Sequence, residues 1–197
     1  EAWAGRRAIW AQTVDWYLQW RDARKDNVAR LHLEKKGYWE MEISGQPFIL
    51  SAIADRIEHG HDGKLSIVDF KTGSPPTDKM IATGFEQQMP LQAVMAQAGV
   101  FEGVTAGDVE SLVYVAFKAK PSVRDVNTGD RKTPHTVAEM AAVAEEGLKQ
   151  LIAAYREPDA VFSSTPRPQF AGYGSYDLLA RRAEWTSDIL EAGDGDS

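Results

Sequence analysis

The sequence predicts an α/β fold in which helices flank a central mixed β-sheet, built from an antiparallel meander plus a further strand. Three observations predict it: apolar residues at helical spacing towards both ends, polar and apolar residues alternating between positions 29 and 71, and a later segment rich in Val, Leu, Tyr and Phe. The 197 residues suffice for one buried core. We therefore expect residues 1–197 to form a single domain and, because Glu1 begins in mid-helix, one taken from a longer chain.

Composition excludes several classes of protein. Hydrophobic residues make up 43% and charged residues 26%, and no long apolar segment occurs, so we expect no membrane partner. The absence of cysteine excludes disulfides, thiolate zinc sites, cysteine nucleophiles and cysteine-ligated iron–sulfur clusters, and is compatible with the cytoplasm, where we expect the protein. The net charge of −7 disfavours free-standing nucleic-acid binding, which would need a local site or a larger assembly.

The first half of the chain predicts one helix and three strands. The helix is expected from Ala2 to about Lys25, with Trp10, Val14, Tyr17 and Leu18 in a core-facing stripe. The strands are "YWEMEI", "PFILSAIADRIE" and "KLSIVDFKTG", separated by the turn sequences "SGQP" and "HGHDG". They predict an antiparallel meander.

The middle of the chain predicts a helix and a fourth strand. Thr77 or Asp78 can cap a helix that runs to about Ala98, with interruptions near Gly84 and Pro90. The segment "VESLVYVAFK", residues 109–118, is expected to be a buried strand.

The last third predicts a loop and two helices. "KAKPSVRDVNTGDRKT" is expected to be a polar loop, and a long helix follows, with its cap at Thr133 and Pro134 at its first position. A second, short helix is expected over "YDLLARRAEWTSDIL", and residues 192–197 should form a mobile tail.

The hairpin formed by the second and third strands carries unexpected charges. Asp69 and Lys71 are two apart and so share a face of their strand. With the turn centred near Asp62, Asp55 would lie opposite Asp69, whereas a one-residue slip would place the two carboxylates on opposite faces. Like charges directly opposite each other on neighbouring strands destabilise a sheet by roughly 0.2 to 1 kcal/mol. A cation would offset the repulsion.

Magnesium chemistry accounts for this arrangement. Mg²⁺ is held by one or two carboxylates and keeps several waters and open positions for phosphate oxygens. Lys71 could then hold a phosphate oxygen or lower the pKa of a metal-bound water. The alternative is a surface network in which Asp55 pairs with Arg56 or Lys71. The apolar surroundings of Asp69 favour the metal site, because an unpaired carboxylate there is costly.

The same residues resemble a known family. Asp55, then thirteen residues, then "DFKTG" at 69–73 resembles the RecB-type branch of the PD-(D/E)XK nuclease superfamily. "EQQMPLQAVMA" resembles the helical glutamine motif of that branch, with Gln88 as the glutamine and Gln92 where an aromatic residue is often found. "TPRPQFAGYGSYDLLARRAEW", residues 165–185, resembles the C-terminal end of AddB-type subunits of the bacterial AddAB helicase–nuclease.

The resemblance implies a nuclease-like domain with a restriction-endonuclease-like core. It would be a deoxyribonuclease, an exonuclease that uses Mg²⁺ or Mn²⁺ on single-stranded DNA in recombinational double-strand-break repair, beside an AddA-type partner subunit. Asp55, Asp69 and the backbone carbonyl of Phe70 would hold the metal, Lys71 would be the catalytic lysine and Gln88 would position the reacting groups.

Two departures from the family pattern matter. Without cysteine the chain cannot carry the iron–sulfur cluster of several AddB subunits. The acidic residue or histidine that family members carry on a helix before the sheet has no match, because the first helix offers only Glu1, Asp15 and Asp22. The alternatives are an inactive nuclease-like module that serves as a structural or DNA-path element of the complex, and a plain carboxylate metal-binding fold.

Three further sets of residues each admit two interpretations. One set could bind a metal or simply form a hairpin turn: His59, His61 and Asp62. Another could complete the metal site or face solvent: Glu34, Glu40 and Glu42. The third could form a rim that tracks phosphates or a solvated loop: Lys118, Lys120, Arg124, Arg131 and Lys132.

Overall fold

A five-stranded mixed sheet with helices on both faces organises the protein. The structure, a computed structural model, describes residues 2–129 and 134–160, and the side chains of the first helix from Trp10 onward. In chain order the elements are α1 (Ala2–Arg24), a 3-10 turn (Lys25–Asn27), β1 (Val28–Ile43), β2 (Gln46–Gly60), β3 (Leu65–Lys71), α2 (Asp78–Ala82), α3 (Gln88–Gln97), β4 (Val109–Ala116), β5 (Ser122–Asp125) and α4 (Val137–Arg156).

The strands lie in the order β1-β2-β3-β4-β5, with β3 and β4 parallel and the other neighbours antiparallel. The predicted fold class and the three-strand meander are therefore confirmed. Parallel neighbours need a crossover of a dozen or more residues, and here α2 and α3 make it. This crossover carries α3 back over the end of β3.

Each face of the sheet has its own core. The larger core lies under α3 and α4 and includes Ile67, Leu112 and Met95, all fully or almost fully buried. The smaller core contains Val68 and residues of β4 on the other face, with tryptophans of α1 packed against it. Burying each such aliphatic side chain contributes about 1.5 to 3 kcal/mol.

Helix α1 presents a different face to the sheet from the predicted one. Trp10, Val14 and Leu18 are exposed, whereas Trp16 and Trp20 pack against the smaller core. The reason lies in an ion pair between α1 and a buried glutamate of β2, described below. The helix is thus oriented by charge and aromatic contacts, and the apolar stripe that the sequence suggested is only partly used.

The predicted helix from Asp78 to Ala98 is two helices. The chain turns at Gly84, whose φ of 74° is strained for any residue with a side chain. Thr77 caps α2 by accepting a hydrogen bond from the Met80 N–H, as predicted. The interruption at Pro90 is wrong: Pro90 lies in the first turn of α3, where a missing N–H costs no helical hydrogen bond.

The predicted loop after β4 contains a fifth strand. β5 pairs with β4 so that Arg124 faces Tyr114 and Val123 faces Val115. Four mainly polar residues give too weak an alternation to reveal a strand, and pairing with a buried neighbour makes it one.

Helix α4 begins later than predicted. Thr136 is its cap, and it forms a reciprocal capping box with Glu139. The predicted cap, Thr133, lies outside the described residues, and Pro134 precedes the helix. The capping box was visible in the sequence as Thr-x-x-Glu just before an apolar run.

Several predictions fall outside the residues that the structure describes. These are the second short helix, the tail at 192–197 and the segment 165–185. The single domain over 1–197 stays a prediction. Among the described residues, no helix combines the length and apolar character needed to cross a membrane.

Candidate active site

The predicted register of the β2–β3 hairpin is present, and it ends at the predicted charges. Arg56 faces Val68, and this is the last regular pair before Asp55 and Asp69. Beyond it, the Phe70 N–H donates to Asp55 Oδ2 at 2.9 Å. The carboxylate of Asp55 therefore takes the place of a backbone acceptor and lies beside the end of β3.

Strand β2 changes face at Asp55. Ala54 and Ile57 both belong to the larger core, although residues three apart in a regular strand face opposite sides. Across the ladder, Asp55 and Glu34 lie between regular β1–β2 pairs without pairing themselves, and Glu34 has a φ of 49°. Such distortions re-aim side chains and are common beside active sites. The sequence gives no sign of this one.

Asp69, Lys71 and Gln88 form a closed ring of polar contacts. Lys71 Nζ lies 2.8 Å from Asp69 Oδ2 and donates to Gln88 Oε1 at 3.0 Å. Gln88 Nε2 donates to Asp69 Oδ1 at 2.8 Å. Asp69 is buried, whereas Lys71 and Gln88 are partly exposed. Because Gln88 is the first residue of α3, the crossover delivers it to the end of β3.

The carboxyl group of Asp69 is incompletely satisfied. Burial raises its pKa, the contacts with Lys71 and Gln88 lower it, and the nearby Asp55 charge raises it again; the net pKa is above its ordinary value. Its Oδ2 is buried and accepts no well-directed hydrogen bond within the described part of the chain, although the Lys71 ammonium is close. This oxygen retains the capacity to bind a cation.

Tyr114 and Arg124 lie in line with Asp69 on the next two strands of the sheet. Tyr114 faces Asp69 on β4, and Arg124 faces Tyr114 on β5. The Tyr114 ring centre lies 5.7 Å from Lys71 Nζ and 5.4 Å from Arg124 Cζ, distances typical of cation–π contacts. Burial and the Asp69 charge raise the pKa of Tyr114, which keeps its hydroxyl protonated. Sequence reasoning placed Tyr114 in a buried strand and missed its place beside the lysine.

Arg124 is held by the segment that follows β3. It forms an ion pair with Asp78 and donates to the Pro76 carbonyl. Arg124 therefore has a structural role, because it fixes the start of α2. This replaces the predicted role of Arg124 in a phosphate-tracking rim. Lys118 and Lys120 are exposed, and the remaining two rim residues, Arg131 and Lys132, lie outside the described ranges.

Comparison with known proteins decides the family. The family model described as the PD-(D/E)XK nuclease superfamily matches residues 1–171. The chain belongs to the PD-(D/E)XK nuclease superfamily. The match covers Asp55, Asp69, Lys71 and Gln88, and it is at the level of the superfamily.

Two rickettsial relatives of this nuclease-superfamily domain are described as uncharacterized proteins. An uncharacterized protein of Rickettsia felis is 31% identical over 97 residues, 49% of this chain and 11% of that protein. An uncharacterized protein of Rickettsia conorii is 36% identical over 72 residues, 36% of this chain and 9% of that protein. The chain thus spans about a tenth of the length of these relatives.

A likeness to a solved structure is weak. The crystal structure of SSO0001 has a TM-score of 0.38 and 15% identity, over 74% of this chain and 68% of that one.

The secondary metal candidates find no support. In residues 2–129 and 134–160, no group of three or more histidine or acidic side chains is arranged to hold a metal. His61 and Asp62 lie in the hairpin turn, where Asp62 accepts the Lys64 N–H, and His59 is paired with Leu65 in the β2–β3 ladder. The remaining acidic candidates are exposed: Glu34, Glu40 and Glu42 on β1, and Asp15 and Asp22 on α1.

A divalent cation of the kind that PD-(D/E)XK nucleases generally use fits the residues present. Mg²⁺ needs only one or two carboxylates besides carbonyl oxygens and water. Asp69 offers Oδ2, whose one close partner in the described part of the chain is the Lys71 ammonium, and Asp55 is half-buried beside it. The Phe70 carbonyl points to the same edge of β3 as the Phe70 N–H, towards Asp55, because both groups of a strand residue share an edge. The donor set is all oxygen, as Mg²⁺ prefers.

Proposed function

We propose that this domain is a Mg²⁺-dependent deoxyribonuclease that hydrolyses phosphodiester bonds of DNA during recombinational double-strand-break repair. The observation that carries the proposal is the ring of Asp69, Lys71 and Gln88 beside Asp55, in which the buried Oδ2 of Asp69 is held, within the described ranges, only by the Lys71 ammonium. Asp55, Asp69 and the Phe70 carbonyl would hold the metal, with Mn²⁺ as a substitute.

The finer assignment rests on the sequence resemblance. We propose an exonuclease of the RecB-type branch, the nuclease domain of an AddB-type subunit that works on single-stranded DNA with an AddA-type partner in the cytoplasm. The net charge of −7 supports a partner that supplies much of the DNA track, because an acidic domain attracts phosphates poorly by itself.

The residues around the site divide the chemical tasks. A bound Mg²⁺ would supply charge for the phosphate and activate water. The Lys71 side chain is partly exposed beside Asp69, and its ammonium can hold a phosphate oxygen or a water. Gln88 restrains both partners of the ion pair at once, since its amide donates to Asp69 and accepts from Lys71. Such restraint lowers the cost of arranging the groups for reaction.

A second function is favoured by one observation. Apart from the pair of aspartates, the described residues place no third acidic or histidine side chain at the site. A nuclease-like module without activity, which serves as a structural or DNA-path element, would have such a site. The two functions make opposite predictions for cleavage.

Cleavage of labelled single-stranded DNA, with Mg²⁺ or Mn²⁺ titrated into the reaction, tests the proposal. We expect cleavage that EDTA abolishes and that Lys71→Ala and Asp69→Ala each reduce at least 100-fold, because each removes a group that acts on the reacting phosphate. Lys64→Ala is the matched control, since Lys64 is an exposed lysine directly before β3, and it should change the rate less than twofold.

Two results would decide against the enzyme. If the protein binds Mn²⁺ and cleaves no DNA, even in a chain extended upstream, the inactive module is supported. If Lys71→Ala and Lys64→Ala lower the rate equally, the ring of contacts has no catalytic role.

A further inference from the structure

Helix α3 carries two glutamines four residues apart, and both reach the sheet. Residues at this spacing lie on one face of a helix. Gln88 binds the end of β3, as described above, and Gln92 Nε2 donates to the Ile53 carbonyl of β2 at 3.1 Å. One helix thus fixes the two strands that carry the acidic residues of the site.

Gln92 contacts β2 where that strand is distorted. Ile53 is two residues before Asp55, and the face change of β2 occurs between Ala54 and Ile57. Near the end of the β2–β3 ladder, two backbone groups are satisfied by side chains: the Phe70 N–H by Asp55 and the Ile53 carbonyl by Gln92. These two hydrogen bonds take over where regular strand pairing stops.

The environment of Gln92 makes its hydrogen bond costly to lose. Gln92 is 3% exposed, and its Oε1 is buried and accepts no hydrogen bond from the described residues. Removing the Gln92 donor would leave the Ile53 carbonyl without this partner, and a buried polar group left unsatisfied carries the full penalty of its desolvation.

We propose that Gln92 is a positioning residue for Asp55: it holds the distorted segment of β2 so that the Asp55 carboxylate stays on the Phe70 N–H and beside Asp69. The proposal deepens the proposed function, because it matters for metal binding only if Asp55 and Asp69 share a cation. Its structural half, the link from Gln92 to the Asp55–Phe70 hydrogen bond, stands without any metal.

Hydrogen exchange of single amides in the metal-free protein tests the structural half. Gln92→Met removes both the donor and the unsatisfied acceptor at nearly constant volume. We expect the Phe70 amide to exchange at least tenfold faster, while the amides of Ile67 and Val113 in the middle of the sheet keep their rates. Gln97→Met, at the end of the same helix, is the matched control and should leave the Phe70 amide unchanged.

Metal affinity tests the functional half. Removing a group that orients a ligand typically costs 10- to 100-fold in metal affinity. We expect Gln92→Met to weaken Mn²⁺ binding at least tenfold, and the cleavage rate at saturating Mn²⁺ to stay within about threefold of wild type. A general packing defect would instead lower the rate at every metal concentration.

The outcomes separate this inference from the proposed function. If wild-type protein binds no Mn²⁺, the proposed function fails, and the exchange of the Phe70 amide still decides the role of Gln92. If Gln92→Met is folded and exchanges its Phe70 amide at the wild-type rate, the inference is overturned. If Gln92→Met does not fold, Gln92→Asn, which keeps the amide on a shorter side chain, should accelerate Phe70 exchange; an unchanged rate there overturns the inference as well.

Discussion

Two buried carboxylates lie on opposite faces of the sheet, and they are satisfied to different degrees. Glu58, on the α1 face, is 2% exposed, and Asp69, on the α3 face, is 3% exposed. Both oxygens of Glu58 accept hydrogen bonds, one from Arg56 at 2.8 Å and the other from Arg24 at 2.6 and 3.0 Å. Asp69 accepts one from Gln88, and its second oxygen has only the Lys71 ion pair.

The difference favours a stabilising role for Glu58 and supports the cation-binding role proposed for Asp69. The Glu58 cluster is closed: two guanidinium groups satisfy it, and both lie over the Trp20 ring at 5.4 and 5.6 Å. It attaches α1 to the sheet. In the Asp69 site, Oδ2 contacts only the Lys71 ammonium among the described residues, and burial together with the nearby Asp55 charge raises the pKa of Asp69.

The largest expected effect is on the closed cluster. Glu58→Leu leaves the Arg56 guanidinium, 4% exposed, without its main partner. Breaking a buried ion pair in this way costs about 3 to 5 kcal/mol of unfolding free energy, to be measured by urea denaturation. Glu110→Leu, which removes an exposed partner of Lys64, should cost less than about 0.5 kcal/mol. Equal losses would contradict the structural role of Glu58.

Metal addition should act on the other face alone. An ion that binds only the folded state adds about 2.7 kcal/mol of stability at a concentration of 100 times its dissociation constant. We expect Mg²⁺ or Mn²⁺ to raise the unfolding midpoint of the wild type. In Asp69→Ala the midpoint should not respond, whereas Glu110→Leu should respond like the wild type. A response retained in Asp69→Ala would place the cation elsewhere.

The smallest expected effect is that of Asp69→Asn, which should raise the free energy of unfolding, whereas Glu58→Leu lowers it. A carboxyl whose folded pKa is raised binds protons more readily in the folded state than in the unfolded state. Its contribution to stability is therefore complete below the ordinary pKa near 3.8 and is lost as the pH rises through the folded pKa. At pH 7 without metal, Asp69→Asn should therefore add stability, because it removes a charge that burial and then the Asp55 charge disfavour; relief of the repulsion with Asp55 alone contributes roughly 0.2 to 1 kcal/mol.

The pH dependence checks that sign. The advantage of Asp69→Asn over the wild type in urea denaturation should shrink as the pH falls towards 3.8, because the wild-type carboxyl then becomes neutral too. If Asp69→Asn destabilises the metal-free protein at pH 7 as Glu58→Leu does, Asp69 is a structural residue and the contrast between the two faces fails.

The structure brings together residues that the sequence had singled out, because the signals that mark them are local. The spacing of Asp55 from Asp69, the two-residue step to Lys71 and the hairpin turn set the register, and Arg56 faces Val68 as that register requires. Gln88 was identified from the resemblance of "EQQMPLQAVMA" to a family motif, whereas the other signals lie in the residues themselves. Periodicity and turn chemistry act over a few residues, so a single sequence is enough to detect them.

Other features depend on partners that are distant in the chain. β5 is a strand because β4 is available to pair with it. The tryptophans of α1 face the sheet because Arg24 forms an ion pair with Glu58, which lies 34 residues away in the chain. Tyr114 gives no sign in the sequence of lying beside Lys71. These contacts arise from the order of strands, which local patterns do not specify.

By itself, then, the sequence determined the fold class, the β2–β3 register and the identity of the charged residues, since each follows from short-range periodicity and residue chemistry. Only the tertiary structure decided that β2 changes face at Asp55, that Gln92 donates to the Ile53 carbonyl of β2, and that Oδ2 of Asp69 contacts, of the residues described, only the Lys71 ammonium. The physical reason is that burial and hydrogen-bond satisfaction depend on everything packed around a group, and α3 reaches this site only through the crossover between β3 and β4.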